Sequence, residues 1–218
     1  MTPAPKPSPG PGPYPPPGAG QPIASVRVVN AHAKTPTFDV LVDNEVLLDD
    51  LSYSTASGYL DVEAGSRHLG FVSGSGTFDD HQLDLAEGAD YTILPCCMQF
   101  PNSTVLTDDN SEPAVGNARL RVVDFATLAS SVNVYLTAPG ADLAGAEPTF
   151  VLDIGSASDY MEVPAGNYQM RVTNWDSDTV VIDSGALTLA EGQVRTIVTM
   201  DASGGGEPFG LLVLEDLN

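Results

Sequence analysis

The chain has 218 residues, enough for two compact units of about 100 each. Apolar residues make up 42% of it, but 29 acidic residues face 8 basic ones, for a formal net charge of −21. Such a surface repels nucleic-acid phosphates and anionic headgroups, which sets both partner classes aside. No stretch approaches the ~20 apolar residues of a spanning helix, so membrane insertion by this segment is not expected.

Residues 1–22 hold a single charge, Lys6, and run Pro3-Ala4-Pro5-Lys6-Pro7-Ser8-Pro9-Gly10-Pro11-Gly12-Pro13-Tyr14-Pro15-Pro16-Pro17-Gly18. Proline at this density opposes helix and sheet ladders and favours extended polyproline II. The segment is expected to be a disordered, semi-rigid spacer and a poor donor strand. It lacks the charged and apolar regions of an export signal.

After the tail the pattern has period two. In Phe38-Asp39-Val40-Leu41-Val42-Asp43, the apolar Phe38, Val40 and Val42 share one face. Strands are predicted at Ser25–Val29, Phe38–Val42, Tyr59–Glu63, His68–Val72, Gln82–Leu85, Tyr91–Leu94 and Thr104–Leu106. A second series follows at Arg119–Val123, Val132–Leu136, Tyr160–Val163, Tyr168–Thr173, Val180–Asp183, Ala186–Leu189, Arg195–Met200 and Leu211–Leu214. No window of useful length shows helical spacing.

The two series repeat each other. Ala24-Ser25-Val26-Arg27-Val28-Val29-Asn30 returns as Ala118-Arg119-Leu120-Arg121-Val122-Val123-Asp124. Tyr59-Leu60-Asp61-Val62-Glu63-Ala64-Gly65 returns as Tyr160-Met161-Glu162-Val163-Pro164-Ala165-Gly166, and Leu83–Gly88 returns as Leu187–Gly192. Val105–Asp108 and Val213–Asp216 close each series. Glycines 65, 166, 88 and 192 are expected to supply positive φ in matched turns. The separations suit a duplicated small domain and not a solenoid. The fold expected is all-β: two tandem immunoglobulin-like or transthyretin-like β-sandwiches, over 23–112 and 113–218, after the tail of 1–22. Their short joint should leave them semi-rigid in relative orientation.

The order Arg-Val-Val-Asn, then Phe38–Val42, then Tyr-x-x-Val-x-Ala-Gly resembles the bacterial domain of unknown function numbered 4397, over about residues 24–218. The resemblance implies an exported module, often in tandem, on surface proteins or lipoproteins. It offers no catalytic residues to carry over. The second copy departs from the pattern at Asp124-Phe125, where the first has Asn30-Ala31, and in a longer insert at 138–149.

Chemistry that belonged to the fold should occur in both copies, and none does. His32, His68 and His81 all lie in the first copy, without zinc-binding spacing. There is no Gly-x-Ser-x-Gly nucleophile elbow, and Ser73–Thr77 reads as a hairpin loop. No catalytic residue, enzyme activity or organic cofactor is expected. Calcium is the one ion weighed, at Asp108, Asp109, Asn110 and Glu112 of the joint, with Asp79, Asp80, Asp176, Asp178 and Asp183 as further loop carboxylates. The adjacent Cys96 and Cys97 read as inert thiols, a vicinal disulfide, an intermolecular bridge or half of a metal site that lacks a CxxC partner. Trp175 reads as either a core plug or a ligand platform.

The leading expectation is therefore a non-enzymatic, exported structural or binding module. Its partner would be a surface protein, a glycan or a second copy of itself. The alternatives are a carbohydrate or small-ligand binder and a calcium-stiffened adhesion module.

Overall fold

The computed structural model describes residues 11–74, 76–96 and 103–216. Among them there is no helix, and so none long and apolar enough to cross a membrane. The first half contributes β1 (Ile23–Asn30), β2 (Thr37–Val42), β3 (Glu45–Ser52), β4 (Thr55–Ala56), β5 (Leu60–Glu63), β6 (Gly65–Ser73), β7 (Gly76–Leu85), β8 (Asp90–Leu94) and β9 (Thr104–Asp108). The second contributes β10 (Asn117–Asp124), β11 (Ser131–Thr137), β12 (Phe150–Asp153), β13 (Met161–Pro164), β14 (Gly166–Asn174), β15 (Val180–Asp183), β16 (Leu187–Leu189), β17 (Val194–Met200) and β18 (Gly210–Glu215).

Each half folds its strands into two sheets. In the first half, one sheet has the order β4-β1-β8-β9 with β5 also on β1, and the other has β3-β2-β6-β7. In the second half the sheets are β13-β10-β17-β18 and β12-β11-β14-β15, with β16 on β14. The β1–β8 pair is parallel and has a parallel counterpart in β10–β17. Val29 pairs with Ala56, and the second half repeats this as a single bridge from Val123 to Ala157.

Alternation builds two sandwich cores. Val26 and Val28 of β1 meet Phe38, Val40, Leu69 and Phe71 from the facing sheet. Leu120 and Val122 of β10 meet Val132, Val134, Met170 and Val172. Each such side chain contributes roughly 1.5–3 kcal/mol by leaving water.

A third cluster joins the halves. Val29, Ala31, Leu94 and Cys96 of the first pack with Val123, Phe125, Val198, Met200 and Leu214 of the second. The sheets containing β1 and β10 are thus covered on both faces, and the molecule is a stack of four sheets. This explains why the ends of β1 and β10 lose alternation: the last five residues of each are all buried. The two sandwiches therefore stack face to face through this cluster.

Three strands escaped the sequence reading: β3, β4 and β12. In β3 the run Leu47-Leu48-Asp49-Asp50 does not alternate, and its pairing with β2 slips at two places. Gly65, Gly88 and Gly192 have the expected positive φ, but Gly166 does not. It continues β14 as ordinary strand, beside the Tyr168 ring.

The expected semi-rigid spacer is tied down at residues 12–14. Pro13 forms a parallel bridge with Val46 of β3. Gly12 O accepts from Val46 N at 2.7 Å, and Tyr14 N donates to Val46 O at 2.6 Å. Proline is tolerated because both bonds fall on its neighbours, so its missing N–H is not needed. The Tyr14 ring packs against the first core, and its hydroxyl accepts from Glu63 N at 3.2 Å.

Candidate functional site at the contact between the halves

Arg27 sits in mid-β1, one residue out of step with the valines that enter the first core. Its side chain therefore points toward the other half, where it is 2% exposed. Burying a guanidinium costs several kcal/mol unless its donors and charge are matched. Here they are matched. Nε and Nη2 donate to Thr92 Oγ1 at 3.1 and 2.8 Å, Nη1 donates to Glu215 O at 3.0 Å, and Nη2 donates to Asp216 Oδ1 at 2.6 Å. The Tyr59 ring lies beneath it, 4.7 Å from the guanidinium carbon to the centroid.

The second half mirrors this set. Arg121 donates from Nε to Thr196 Oγ1 at 2.9 Å, from Nη1 to Thr107 O at 3.3 Å, and from Nη2 to Asp108 Oδ1. Tyr160 lies 4.6 Å beneath it. Each aspartate is seated by its own half and paired with the arginine of the other. Asp108 Oδ2 accepts from Tyr59 and Thr92 at 2.5 and 2.6 Å, and Asp216 Oδ2 accepts from Tyr160 and Thr196 at 3.0 Å each. The two arginines and two aspartates cancel in charge. Arg27 Nη2 also lies 3.8 Å from Asp108 Oδ2, which links the two sets. The contact is self-complementary in the manner of a twofold dimer, although one chain supplies both sides.

Burial, the largest cause, pushes the Tyr59 and Tyr160 hydroxyls well above the usual tyrosine range, and the guanidiniums only partly oppose it. Both tyrosines therefore remain neutral donors. With every charge answered and the donors turned inward, the cluster acts as a lock and offers no reacting group to a substrate.

Among the joint residues weighed for calcium, Asp108 faces inward with its oxygens on Arg121, Tyr59 and Thr92. Asp109 pairs with Arg119 at 2.9 Å, and its carboxyl is held below the usual range, first by hydrogen bonds from Ser111. Asn110 donates to Asp90 Oδ2 at 2.8 Å, while Glu112 is exposed. Asp176 and Asp178 are exposed, and Asp183 accepts from Gln169 at 2.8 and 2.9 Å. Among the described residues, no group of three or more His, Cys, Asp or Glu side chains is arranged to hold a metal. Cys96 is buried in the contact cluster, and its amide donates to Asp79 Oδ2 at 3.0 Å. Cys97 lies outside the described residues. Trp175 is 60% exposed at the end of β14, so it plugs no core.

One grouping had no sequence signal, because Ser103 joins the neighbouring Asp79 and His81 from more than 20 residues away. Asp79 lies 2.6 Å from His81 Nε2, and the Ser103 hydroxyl donates to Asp79. Its proton is thus aimed at the carboxylate and not at the imidazole, which is not the arrangement of an activated nucleophile. The lock did leave a signal. Arg27 and Arg121, Tyr59 and Tyr160, and Asp108 and Asp216 are polar residues at matched positions of both copies. A charge repeated within a buried strand needs a partner.

No curated protein matches the chain. Solved structures of low similarity include a candidate adhesin from Bacteroides ovatus. It is 10% identical, with 91% of this chain and 96% of that one covered and a TM-score of 0.26. A candidate cell adhesion protein from Bacteroides fragilis is 8% identical over 91% of this chain and 98% of that one, with a TM-score of 0.25. A leucine-rich repeat protein from Bacteroides thetaiotaomicron is 12% identical over 80% of this chain and 25% of that one, with a TM-score of 0.19. No inference rests on likeness this low. A family model does match, over residues 24–135, through the first half and the opening strands of the second. The chain, just over half of which that model spans, belongs to the family described as Domain of unknown function (DUF4397).

Proposed function

We propose that this protein is a non-enzymatic, exported surface module. Its locked halves would present loops and outer sheets to a surface protein, a glycan or further copies of the chain. The observation that carries the reading is the reciprocal exchange of Arg27 to Asp216 and Arg121 to Asp108. The best-organised polar cluster of the molecule is closed on itself and sets the orientation of a scaffold. Binding residues then belong on exposed loops held by that scaffold. The acidic surface suits solubility outside the cell, and the lock stiffens the joint without calling on calcium. Protease shaving and antibody labelling of intact producing cells test the reading. Surface exposure is expected, together with no turnover in an esterase, glycosidase and protease panel. A chain confined to the cytosol, or one that turns over a substrate, would overturn it.

The second reading is carbohydrate binding through Trp175. It is favoured by the exposure of Trp175 at 60%, in the turn after β14, together with Val151 at 61% and Val180 at 39% of the outer sheet of the second half. Glycan-array binding lost in Trp175→Ala would support it, and a silent array would end it.

A further inference from the structure

The outer sheet of the first half ends in β3, whose far side has no strand neighbour among the described residues. Such an edge displays unpaired N–H and C=O groups and invites a strand from another molecule. Here the tail lies on it. Val46 has both backbone groups taken, by Gly12 O and Tyr14 N. Tyr14 anchors the segment through its ring against the first core and its hydroxyl on Glu63 N. Pro15, Pro16 and Pro17 follow immediately and have no N–H to give. The tail can occupy the edge but cannot extend into a full strand. The contact is short: beside it a groove of about 610 Å³ lies between Pro11, Pro13 and Tyr14 on one side and Val46 to Asp49 on the other.

We propose that the proline-rich segment is a displaceable guard of the β3 edge, and that the partner it excludes is the β3 edge of a second copy. This rests on the surface-module reading above and names the surface through which that module would self-associate. Two β3 edges pairing antiparallel would form an isologous contact and join two outer sheets into one. Glu45, Asp49 and Asp50 of each strand would come close to their counterparts, so the contact is opposed by like charge and strengthens with salt. The guard and the carboxylates act together: one occupies the hydrogen bonds and the other repels a second copy. Removal of the tail by a protease, or its capture by a proline-reading partner, would open the edge.

The test compares the full chain with Tyr14→Ala and with Tyr14→Ala/Val46→Pro, by sedimentation over a range of protein and salt concentrations. The Val46 N–H points away from β2, so proline there blocks strand addition and leaves the β2–β3 ladder in place. The wild-type chain is expected to stay monomeric. Tyr14→Ala is expected to dimerise with rising protein and salt, and the double variant to return to monomer. Hydrogen exchange on the same samples checks the guard directly. The Val46 amide should be protected in wild type and exchange roughly tenfold or more faster in monomeric Tyr14→Ala. An unprotected Val46 in wild type, a Tyr14→Ala chain monomeric at every salt, or association indifferent to Val46→Pro would each overturn the proposal. A monomeric variant found on the cell surface sinks the guard and leaves the module standing. A salt-dependent dimer of a cytosolic chain does the reverse.

Discussion

The first half holds Asn30 at the end of β1, and the second holds Asp124 at the matching end of β10; both are fully buried. Asn30 donates to Thr35 O and Leu51 O at 3.1 and 3.0 Å and accepts from His32 N at 3.2 Å. Asp124 accepts from Thr199 Oγ1 at 2.5 Å, and its Oδ2 has no hydrogen-bond partner. Burial, the largest cause, raises its pKa to about 6. Other differences lie on the outside. The tail covers an edge of the first outer sheet, while the second outer sheet exposes Val151 and Val180, with Trp175 exposed in the turn after β14. The Arg, Thr, Tyr and Asp of the lock occur in both halves. The halves thus share the polar lock of their contact, while the apolar cluster beside it sets Ala31 of one half where the other has Phe125, and the outer surfaces differ further.

The largest effect should come from breaking the agreement. Arg27→Met leaves Asp216 without its cation and should cost about 3–5 kcal/mol by urea unfolding, with Arg121→Met costing about the same. Arg27→Met combined with Asp216→Leu should cost less than the sum of the two single changes, as a double-mutant cycle would show. Equal costs would show that the two halves of the lock are equivalent in energy as well as in geometry.

Exchanging the odd pair comes next. Asn30→Asp sets a carboxylate against two carbonyls and should cost about 3 kcal/mol at neutral pH. Asp124→Asn should stabilise, with a pH signature that fixes the sign. A carboxyl whose folded pKa lies above its unfolded value favours the folded state when protonated. That contribution is complete below about pH 4 and is lost as pH rises through about 6. The variant should therefore match wild type below about pH 4 and exceed it by up to about 3 kcal/mol above about pH 6. A pH-independent gain would mean that Asp124 does not carry the proton.

Smaller again, Tyr59→Phe and Tyr160→Phe each remove one donor from a lock aspartate and should cost about 1 kcal/mol. The shorter bond of Tyr59 to Asp108, 2.5 Å against 3.0 Å for Tyr160 to Asp216, places its loss slightly higher. Trp175→Ala should change stability by less than about 0.5 kcal/mol, because the ring is mostly in solvent. Trp175 is the only tryptophan, so acrylamide should quench the protein's fluorescence almost as well as it quenches a free indole.

Much of the fold was legible because strand periodicity and the internal duplication are properties of the sequence itself. Phe38, Val40 and Val42 alternate, and they line a core. Stacking of the halves was harder to see. It lies in the residues opposite that alternation, such as Val29 and Val123, and these look like ordinary strand formers until a second sheet is known to cover them. The calcium reading took Asp108 as a loop carboxylate, because nothing local shows that Arg121 will reach it from the other half. The contact of the tail with β3 was hidden for a similar reason. Its composition forbids a ladder, but a single bridge needs only the groups on either side of Pro13.

The crossing of the lock also sets an order of events during synthesis. Arg27 meets its counter-ion 189 residues downstream, on the segment that follows β18. A nascent amino-terminal portion can close its valine core early and set Thr92 and Asp108 beside the guanidinium, but the short bond to Asp216 waits for the second half. Final locking therefore follows the folding of either half on its own.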